Sequence, residues 1–245
     1  MKLVLASQSP GRKELLSYLN IPFEIIPSGL DEDKITGKTP LDTLKLRSKL
    51  KGESVAHKTL SSRFTLHAKR FIILSADSGA ILDGKLIGKP KNYRDAVRIL
   101  QTLSGKTHGF ITAVYITKLA NSQIPILKTD LNAKTPDPKK RYYFAQKHQI
   151  LNGHVVSEKF GIKGLPAIKI KTYQTFDRSF VTFRRLTDED INLYLKNTDY
   201  TRFAGGYAIA SAQNFITKID GSVSNVIGLP MEKVILILKE TGILH

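Results

Sequence analysis

A short stretch near the start of the chain, residues 3–16, combines residue types that bind phosphate. It reads LVLASQSPGRKELL, which is an apolar run, a small polar turn and then a helical pattern. Ser7, Ser9 and Arg12 lie where backbone N–H groups and a helix N-terminus would face an anion. Two hydroxyls and a fixed positive charge suit a polyphosphate. The alternative is a plain strand–helix connection, with Ser9 as N-cap and Pro10 at the first helical position.

Three further polar clusters also stand next to predicted strands, and they are Asp31-Glu32, Asp77-Ser78 and Gly88-Lys89-Pro90. Ligands of open α/β sheets bind at strand ends, where these clusters supply carboxylates for a hard cation and donors for phosphate. Asp77 follows the apolar run 71–74, so its surroundings can set its pKa and orientation. Taken singly, Asp77 could cap a turn, Lys89 could be an ordinary hairpin lysine, and Glu32 could be a solvated acid.

Alternating strand and helix patterns separate these clusters. Strands are predicted over 3–5, 23–26, 71–74, 80–84, 108–117, 180–186, 203–209 and 215–219. Helices are predicted over 13–19, 41–56 and 93–103, from Thr187 to Leu195, and between Pro230 and Gly242. Asp83-Gly84 predicts a hairpin turn. The interleaved elements predict an α/β domain with a mixed sheet.

Composition limits the class of protein. The chain has 245 residues, of which 41% are hydrophobic and 8% aromatic, enough for a substantial core. No apolar run could span a bilayer and the N-terminus lacks a secretory pattern, so we expect a soluble, cytoplasmic protein without membrane contact. Because the chain lacks Cys, disulfides and thiolate metal sites are excluded, and no His pair has metal-binding spacing. His108 is expected to be structural.

Taken together, the polar clusters and their flanks resemble the Maf family of nucleoside triphosphate pyrophosphatases. The resemblance covers nearly all of 1–117 and 180–242. It rests on LASQSPGRKELL, ADSG at 76–79, LDGKLIGKP at 82–90, LQTLSGKTHGFITAV at 100–114, AGGYAI at 204–209 and KIDGSVSNVIGLP at 218–230. It implies a Maf/ITPase-like α/β fold, in which a mixed twisted sheet with flanking helices forms two lobes around a deep cleft.

The resemblance also implies an activity and residue roles. The activity is hydrolysis of a nucleoside triphosphate to the monophosphate and pyrophosphate by a homodimer, with a divalent cation such as Mg, Mn or Co. The implied phosphate-binding residues are Ser7, Arg12, Lys51 and Lys89. Asp77 would be the general base or the carboxylate that orients the attacking water, and Glu32 and Asp77 would hold the metal. These roles suit phosphoanhydride hydrolysis, which needs positioning and charge neutralisation.

Three departures from the family pattern concern substrate choice and packing. Gly11 stands where the family usually has Arg, at a position associated with substrate choice. Gly79 replaces an apolar residue and is expected to lose packing. Ala210 replaces a Gln that is expected to contact the base. Loss of a hydrogen bond to a base shifts specificity more readily than it abolishes chemistry, so modified or pyrimidine nucleotides are the candidate substrates.

A basic segment is the second kind of departure. The formal net charge is +17, and residues 118–172 hold ten Lys and one Arg against three acidic residues. This segment contains several Pro and no sustained period, so we predict a surface insertion at about 118–171, extended or partly disordered, within one domain over 1–245. Family members connect these strands with far fewer residues. Aromatic residues 142–144 follow basic residues 139–141, which would suit single-stranded nucleic acid, but a neutral insertion is the preferred interpretation.

Two functions from different classes follow from these observations. The leading hypothesis is a nucleoside triphosphate pyrophosphatase. The alternative is a catalytically weakened scaffold that binds nucleic acid or another acidic partner through its basic insertion. The enzyme needs Asp77 and a metal, whereas the binding module needs the insertion, so deletion of 120–170 distinguishes them.

Overall fold

A computed structural model of the chain describes residues 1–61, 70–121, 147–151, 154–160 and 168–244. The strands are β1 (Lys2–Leu5), β2 (Phe23–Ile25), β3 (Arg70–Leu82), β4 (Lys85–Ile87), β5 (Thr107–Asn121), β6 (Lys147–Leu151), β7 (His154–Phe160), β8 (Ile168–Phe183) and β9 (Ile216–Asp220). The helices are α1 (Pro10–Ser17), α2 (Pro40–Ser61), α3 (Tyr93–Leu103), α4 (Asp188–Asn197), α5 (Val223–Ile227) and α6 (Met231–Thr241).

The strands form one mixed sheet, as the sequence predicted. Its order is β2-β1-β3-β5-β8-β7-β6, with β4 paired to β3 and β9 paired to β8. β1 runs parallel to both of its neighbours, while the other pairs are antiparallel. The expectation of an α/β fold with flanking helices is therefore confirmed. The two lobes and the cleft between them stay predictions.

Helices cover both faces of the sheet. α2 packs on one face, where Val55 and Leu44 belong to two apolar clusters with residues of β1, β3 and β5. The opposite face carries α1 and α6 at one end and α3 and α4 at the other, each pair over its own buried cluster. Burial of these apolar faces is the main force that holds the helices on the sheet.

A buried polar belt separates the two clusters on that second face. Ala76 of β3 belongs to the cluster under α1 and α6, and Ala80 belongs to the cluster under α3 and α4. Ser78 lies between them, paired across the sheet with Thr112 of β5. Thr112 Oγ1 lies 2.9 Å from Ser78 Oγ and 2.8 Å from the carbonyl oxygen of Asn225 on α5. The belt thus places hydrogen-bonding groups in mid-sheet, where apolar packing would otherwise continue.

Most predicted elements are present, with one clear error. α3 has the predicted bounds, the hairpin turn lies at Asp83-Gly84, and Thr187 caps α4 in a capping box with Asp190. The predicted strand over 203–209 is wrong, because this region contains a 3₁₀ turn over Ala204–Gly206. Gly205 and Gly206 there have φ of 76° and 73°, which a strand does not accommodate.

The basic segment 118–171 lies partly outside the described residues. Its described parts belong to strands, namely the end of β5, all of β6 and β7, and the start of β8. β6 pairs with β7, and β7 pairs with β8, in antiparallel register. These parts extend the sheet at the edge distant from β1. Residues 139–144, for which a nucleic-acid contact was the alternative to a neutral insertion, lie outside the described residues.

Candidate active site

The site lies where β3 runs on beyond its shorter neighbour. β1 pairs with β3 only as far as Leu74, and β4 begins to pair at Ala80. Between these points, none of the described strands covers that edge of β3. Successive side chains of a strand point to opposite faces, so Asp77 faces α2 whereas Ser78 faces α1 and α5. Residues can therefore approach the uncovered edge from both faces of the sheet.

On the α2 face, Lys51 joins two carboxylates. Its Nζ lies 2.6 Å from Asp77 Oδ1 and 2.8 Å from Glu32 Oε1. Lys51 and Asp77 are both buried, and Glu32 is about one-third exposed, with 33% of its side chain accessible. Gly52 allows this approach, because a Cβ there would lie 2.7 Å from Ser75 Oγ and from the Tyr115 ring. Three predicted site residues therefore meet in one charged cluster.

The two carboxyl groups of this cluster have pKa values shifted in opposite directions. Burial raises the pKa of Asp77, and the charge and hydrogen bond of Lys51 offset only part of this effect. Burial also opposes ionisation of Glu32, but the charge and hydrogen bond of Lys51, with the charges of Lys89 and Arg12, lower its pKa. Opposed shifts in neighbouring acids are typical of sites that need one acceptor and one fixed charge.

On the opposite face, a buried guanidinium is held by three hydrogen bonds. Arg12 donates from Nε to the carbonyl oxygen of Gly228 (2.8 Å), from Nη1 to Ser7 Oγ (3.0 Å) and from Nη2 to Ser78 Oγ (2.8 Å). Burial lowers its pKa, and the charges of Asp77 and Glu32 oppose that effect. One N–H on each terminal nitrogen is left over, which suits a phosphate oxygen pair.

The alternative for the first turn is partly correct. Helix α1 begins at Pro10 with Ser9 as the N-cap residue, but the Ser9 side chain makes no capping hydrogen bond. The Ser9 N–H instead donates to Ser7 Oγ at 3.3 Å. Ser7 Oγ therefore links the backbone of the turn to the Arg12 guanidinium. The turn between β1 and α1 thus positions Arg12 as well as joining the two elements.

Lys89 lies at the border of the cluster. Its side chain is exposed, but its charge lowers the pKa of Glu32, which indicates that it lies near the carboxylates. The neighbouring backbone is fixed, since the carbonyl oxygen of Gly88 accepts a 3.0 Å hydrogen bond from the N–H of Gly205. Pro90 on its other side is buried. Lys89 is thus placed beside the site without a direct bond to Glu32 or Asp77.

The sequence interpretation missed Arg47. It lies one helical turn before Lys51 on α2, with only 14% of its side chain exposed. Its Nη1 lies 4.0 Å from Asp77 Oδ2. In the sequence it stands among Lys45, Lys49 and Lys51, and a run of cations on a long helix usually forms a solvated face. The spacing of four residues from Lys51 was the available signal.

The two carboxylates fit a divalent cation. Asp77 Oδ2 is buried and has no hydrogen-bond partner in the described structure, so an oxygen is available to a hard cation. Across the ranges that the structure describes, no group of three or more His, Cys, Asp or Glu could hold a metal alone. Mg²⁺ is commonly bound by one or two carboxylates together with substrate phosphates and water. Glu32 and Asp77 meet that requirement.

The departures from the family pattern have structural counterparts. A Cβ at Gly11 would lie 2.8 Å from Ile227 Cγ2, so α1 packs against α5 where a larger residue would need space. At Gly79, the side chain of Leu86 from the hairpin occupies the space that a Cβ would take. Leu86 therefore supplies the packing that was expected to be lost. Ala210 is exposed, next to a turn held by the 2.9 Å hydrogen bond from Ala212 N–H to the Ala208 carbonyl oxygen.

The chemistry that this arrangement supports is anion binding with proton abstraction. Arg12 and Lys51 reach the uncovered edge of β3 from opposite faces. Asp77 contributes one carboxylate oxygen held by Lys51 and one that has no hydrogen bond to the described part of the chain. A buried carboxylate beside several cations can orient and deprotonate water that attacks a bound phosphate.

Comparison with known proteins agrees with this interpretation. The chain matches the family described as Maf-like protein over residues 2–143 and 141–241. Similar relatives are the dTTP/UTP pyrophosphatases of Thermosipho africanus (32% identity, 100% of this chain, 95% of the relative) and Anaeromyxobacter dehalogenans strain 2CP-1 (30%, 98%, 94%). That of Aquifex aeolicus is 29% identical, over 100% of this chain and 97% of the relative.

Among the described helices, none has the length and apolar character needed to cross a membrane.

Proposed function

The chain belongs to the Maf-like protein family, and on that premise we propose that it hydrolyses a nucleoside triphosphate to the monophosphate and pyrophosphate. Full-length similarity to proteins named dTTP/UTP pyrophosphatase supports a pyrimidine nucleotide as substrate. The observation that carries the proposal is the cluster at the uncovered edge of β3. There Asp77, with one unpartnered oxygen, is surrounded by Lys51, Arg12 and Glu32.

The proposed reaction is hydrolysis of the phosphoanhydride bond between the α- and β-phosphates. The oxygen of water forms a bond to one phosphorus of that linkage, and the bond from this phosphorus to the bridging oxygen breaks. The proton of the water passes to the Asp77 carboxylate, which acts as the general base. Lys51 holds Oδ1 at 2.6 Å and so restricts rotation of the carboxylate.

The positive residues would bind the triphosphate. Arg12 offers its remaining N–H groups from one side of β3, and Ser7 fixes the guanidinium. Lys89 adds an exposed charge near Glu32. A divalent cation held by Glu32 and Asp77 would neutralise phosphate charge. Because phosphoryl transfer depends mainly on positioning and charge neutralisation, these residues are sufficient in kind.

Base selection would rest on groups other than the family's Gln, which is Ala210 in this chain. The relatives' names favour uracil and thymine bases, and the methyl side chain of Ala210 offers no hydrogen bond to a base. We therefore propose pyrimidine triphosphates as preferred substrates, with modified pyrimidines tolerated more readily than by an enzyme that keeps the Gln. The resemblance also supports a homodimer in the cytoplasm, and light scattering after size-exclusion chromatography tests the dimer.

The test is pyrophosphate release from a panel of nucleoside triphosphates. The panel holds dTTP, UTP, dCTP, CTP, ATP, GTP and modified pyrimidine triphosphates, each with Mg²⁺, Mn²⁺ or Co²⁺. The variant is Asp77→Asn, and the control is Asp83→Asn, which makes the same chemical change at the exposed hairpin turn next to β4. We expect release from UTP and dTTP that Asp77→Asn abolishes and Asp83→Asn leaves intact. Absence of release from every substrate would reject the proposal.

A further inference from the structure

Arg47 is a nearly buried cation with most of its hydrogen-bond donors unused. Its Nε donates to the carbonyl oxygen of Ile35 at 2.9 Å. Within the described residues, its terminal nitrogens make no hydrogen bond, and only 14% of the side chain is exposed. A guanidinium carries five N–H groups, so four remain available. In the described structure these nitrogens are not sealed from solvent, so an anion that enters the site can reach them.

Among the described residues, the acidic oxygen that lies within 4.0 Å of these donors is Oδ2 of Asp77. Arg47 Nη1 and Asp77 Oδ2 are 4.0 Å apart, too far for a direct hydrogen bond. Asp77 Oδ2 itself has no hydrogen-bond partner in the described structure. The two groups therefore face each other without a direct hydrogen bond, so an oxygen atom that binds beside Asp77 would lie close to Arg47. In the proposed reaction, that oxygen belongs to the water or to the phosphoryl group whose phosphorus the water attacks.

Each of the other two buried cations of the site already bonds to two or more described groups. Lys51 bonds to both Asp77 and Glu32, and Arg12 bonds to Gly228, Ser7 and Ser78. On the α2 face, Arg47 is thus the cation with a free planar fork, the geometry that matches two phosphate oxygens.

We propose that Arg47 is a further catalytic residue, which donates to the phosphoryl oxygens next to the water held by Asp77. This proposal rests on the proposed hydrolysis and adds a charge that stabilises the negative oxygens as the water attacks. The hydrogen bond to the Ile35 carbonyl oxygen fixes Nε and so restricts rotation of the guanidinium. A role restricted to that bond would not need Nη1 at 4.0 Å from Asp77 Oδ2.

The first experiment compares Arg47→Gln and Arg47→Lys with the unchanged chain in pyrophosphate release from UTP. Loss of one such donor group typically lowers kcat by about 100-fold or more, so we expect about that loss for Arg47→Gln. KM should rise by less than about 10-fold, and Arg47→Lys should keep a part of kcat because charge remains without the fork. The matched control is Arg184→Gln, since Arg184 also donates Nε to a loop carbonyl, that of Asn214 at 2.7 Å.

A second measurement separates direct contact from support of the loop that carries Glu32. If Arg47 acts only by holding Ile35, the double variant Glu32→Gln/Arg47→Gln should be no slower than Glu32→Gln alone. We expect the two losses to multiply instead. Free guanidinium ion should also restore part of the activity of Arg47→Ala, since it can replace the phosphate contact but not the tether. A kcat for Arg47→Gln within about threefold of the unchanged chain, or a double variant equal to Glu32→Gln, would overturn the proposal.

Binding distinguishes failure of this proposal from failure of the proposed function. Calorimetry with α,β-methylene-UTP, which cannot be hydrolysed between these phosphates, should show binding to Arg47→Gln that is weaker by about threefold to 10-fold, in line with the expected rise in KM. If the unchanged chain releases no pyrophosphate but shows this difference, Arg47 binds phosphate and the proposed activity is wrong. If the unchanged chain is active and both kcat and binding are unaffected in Arg47→Gln, the activity stands and the role of Arg47 is refuted.

Discussion

Replacement of Lys51 by Met should destabilise the fold because it leaves two carboxylates facing each other. Lys51 Nζ is within 2.8 Å of an oxygen of both Asp77 and Glu32, and its side chain is 6% exposed. Met fills a similar volume, so the change removes the charge with little effect on packing. The carboxylate of Asp77 then stays buried without its hydrogen-bonded partner.

The magnitude follows from two contributions. At a separation of about 5 Å and an effective dielectric constant of about 20, two like charges repel by about 3 kcal/mol. Removal of one partner of a buried ion pair typically costs about 3–5 kcal/mol, a range that already includes such repulsion. We therefore expect the free energy of unfolding at pH 7 to fall by about 3–5 kcal/mol. The remaining charge of Arg47, 4.0 Å from Asp77 Oδ2, places the result nearer the lower limit.

Urea unfolding at pH 7 and pH 5 provides the assay. Without Lys51, the pKa of Asp77 in the folded state should rise further above its unfolded value. Such a carboxyl contributes stability below its unfolded pKa and loses it as pH rises through the folded pKa, so the deficit should be smaller at pH 5. The double variant Lys51→Met/Asp77→Asn should recover much of the loss, because no charge repels Glu32. A deficit below about 1 kcal/mol at pH 7, or one equal at both pH values, would refute the reasoning.

Two further predictions concern residues outside the charged cluster. Burial lowers the pKa of His108 to about 4. Its Nε2 lies 2.7 Å from Tyr207 Oη. As pH falls, His108 is therefore protonated near pH 6.5 in the unfolded chain but only near pH 4 in the folded chain. Stability should therefore fall between these pH values by about 1.4 kcal/mol per pH unit, and urea unfolding across this range should show a shallower fall for His108→Gln. Gly11→Arg, which restores the usual family residue, should lower stability by about 1–3 kcal/mol because of Ile227, and Ile227→Ala in the same chain should relieve part of that loss in thermal unfolding.

Local sequence signals predicted the bounds of elements that have capping or turn residues at their ends. α3 begins after Asn92, whose side chain accepts from the Asp95 N–H, and ends before Ser104-Gly105, so its bounds were predictable. The strand prediction for 203–209 was wrong because apolar residues on each side of two glycines suggest a strand. There the fold is set by a distant contact, the hydrogen bond from Gly205 N–H to the carbonyl oxygen of Gly88. Such long-range contacts leave no periodic pattern.

The site was only partly predictable from residues alone. Asp77 directly after a buried run was a sound candidate, because a carboxylate at that position must lie beside the core. The meeting of Lys51, Asp77 and Glu32 joins a helix, a strand and a loop, and it was expected from the family resemblance rather than from spacing. Arg47 was missed because its burial depends on how closely α2 packs on the sheet. The pattern of charged residues along the helix does not predict how close that packing is.

The alternation of side chains along β3 makes the number of residues in this strand as important as their identity. Asp77 and Ser78 are neighbours, yet they serve opposite faces, and β3 pairs with β5 without interruption from Arg70 to Ile81. Insertion or deletion of a single residue before Asp77 would exchange the two faces and direct the carboxylate toward Arg12. A change of two residues would restore the face but displace the carboxylate by about 7 Å. Insertions and deletions that a surface loop would tolerate should therefore not be tolerated in this strand. The number of residues before Asp77 decides the face and the position of its carboxylate.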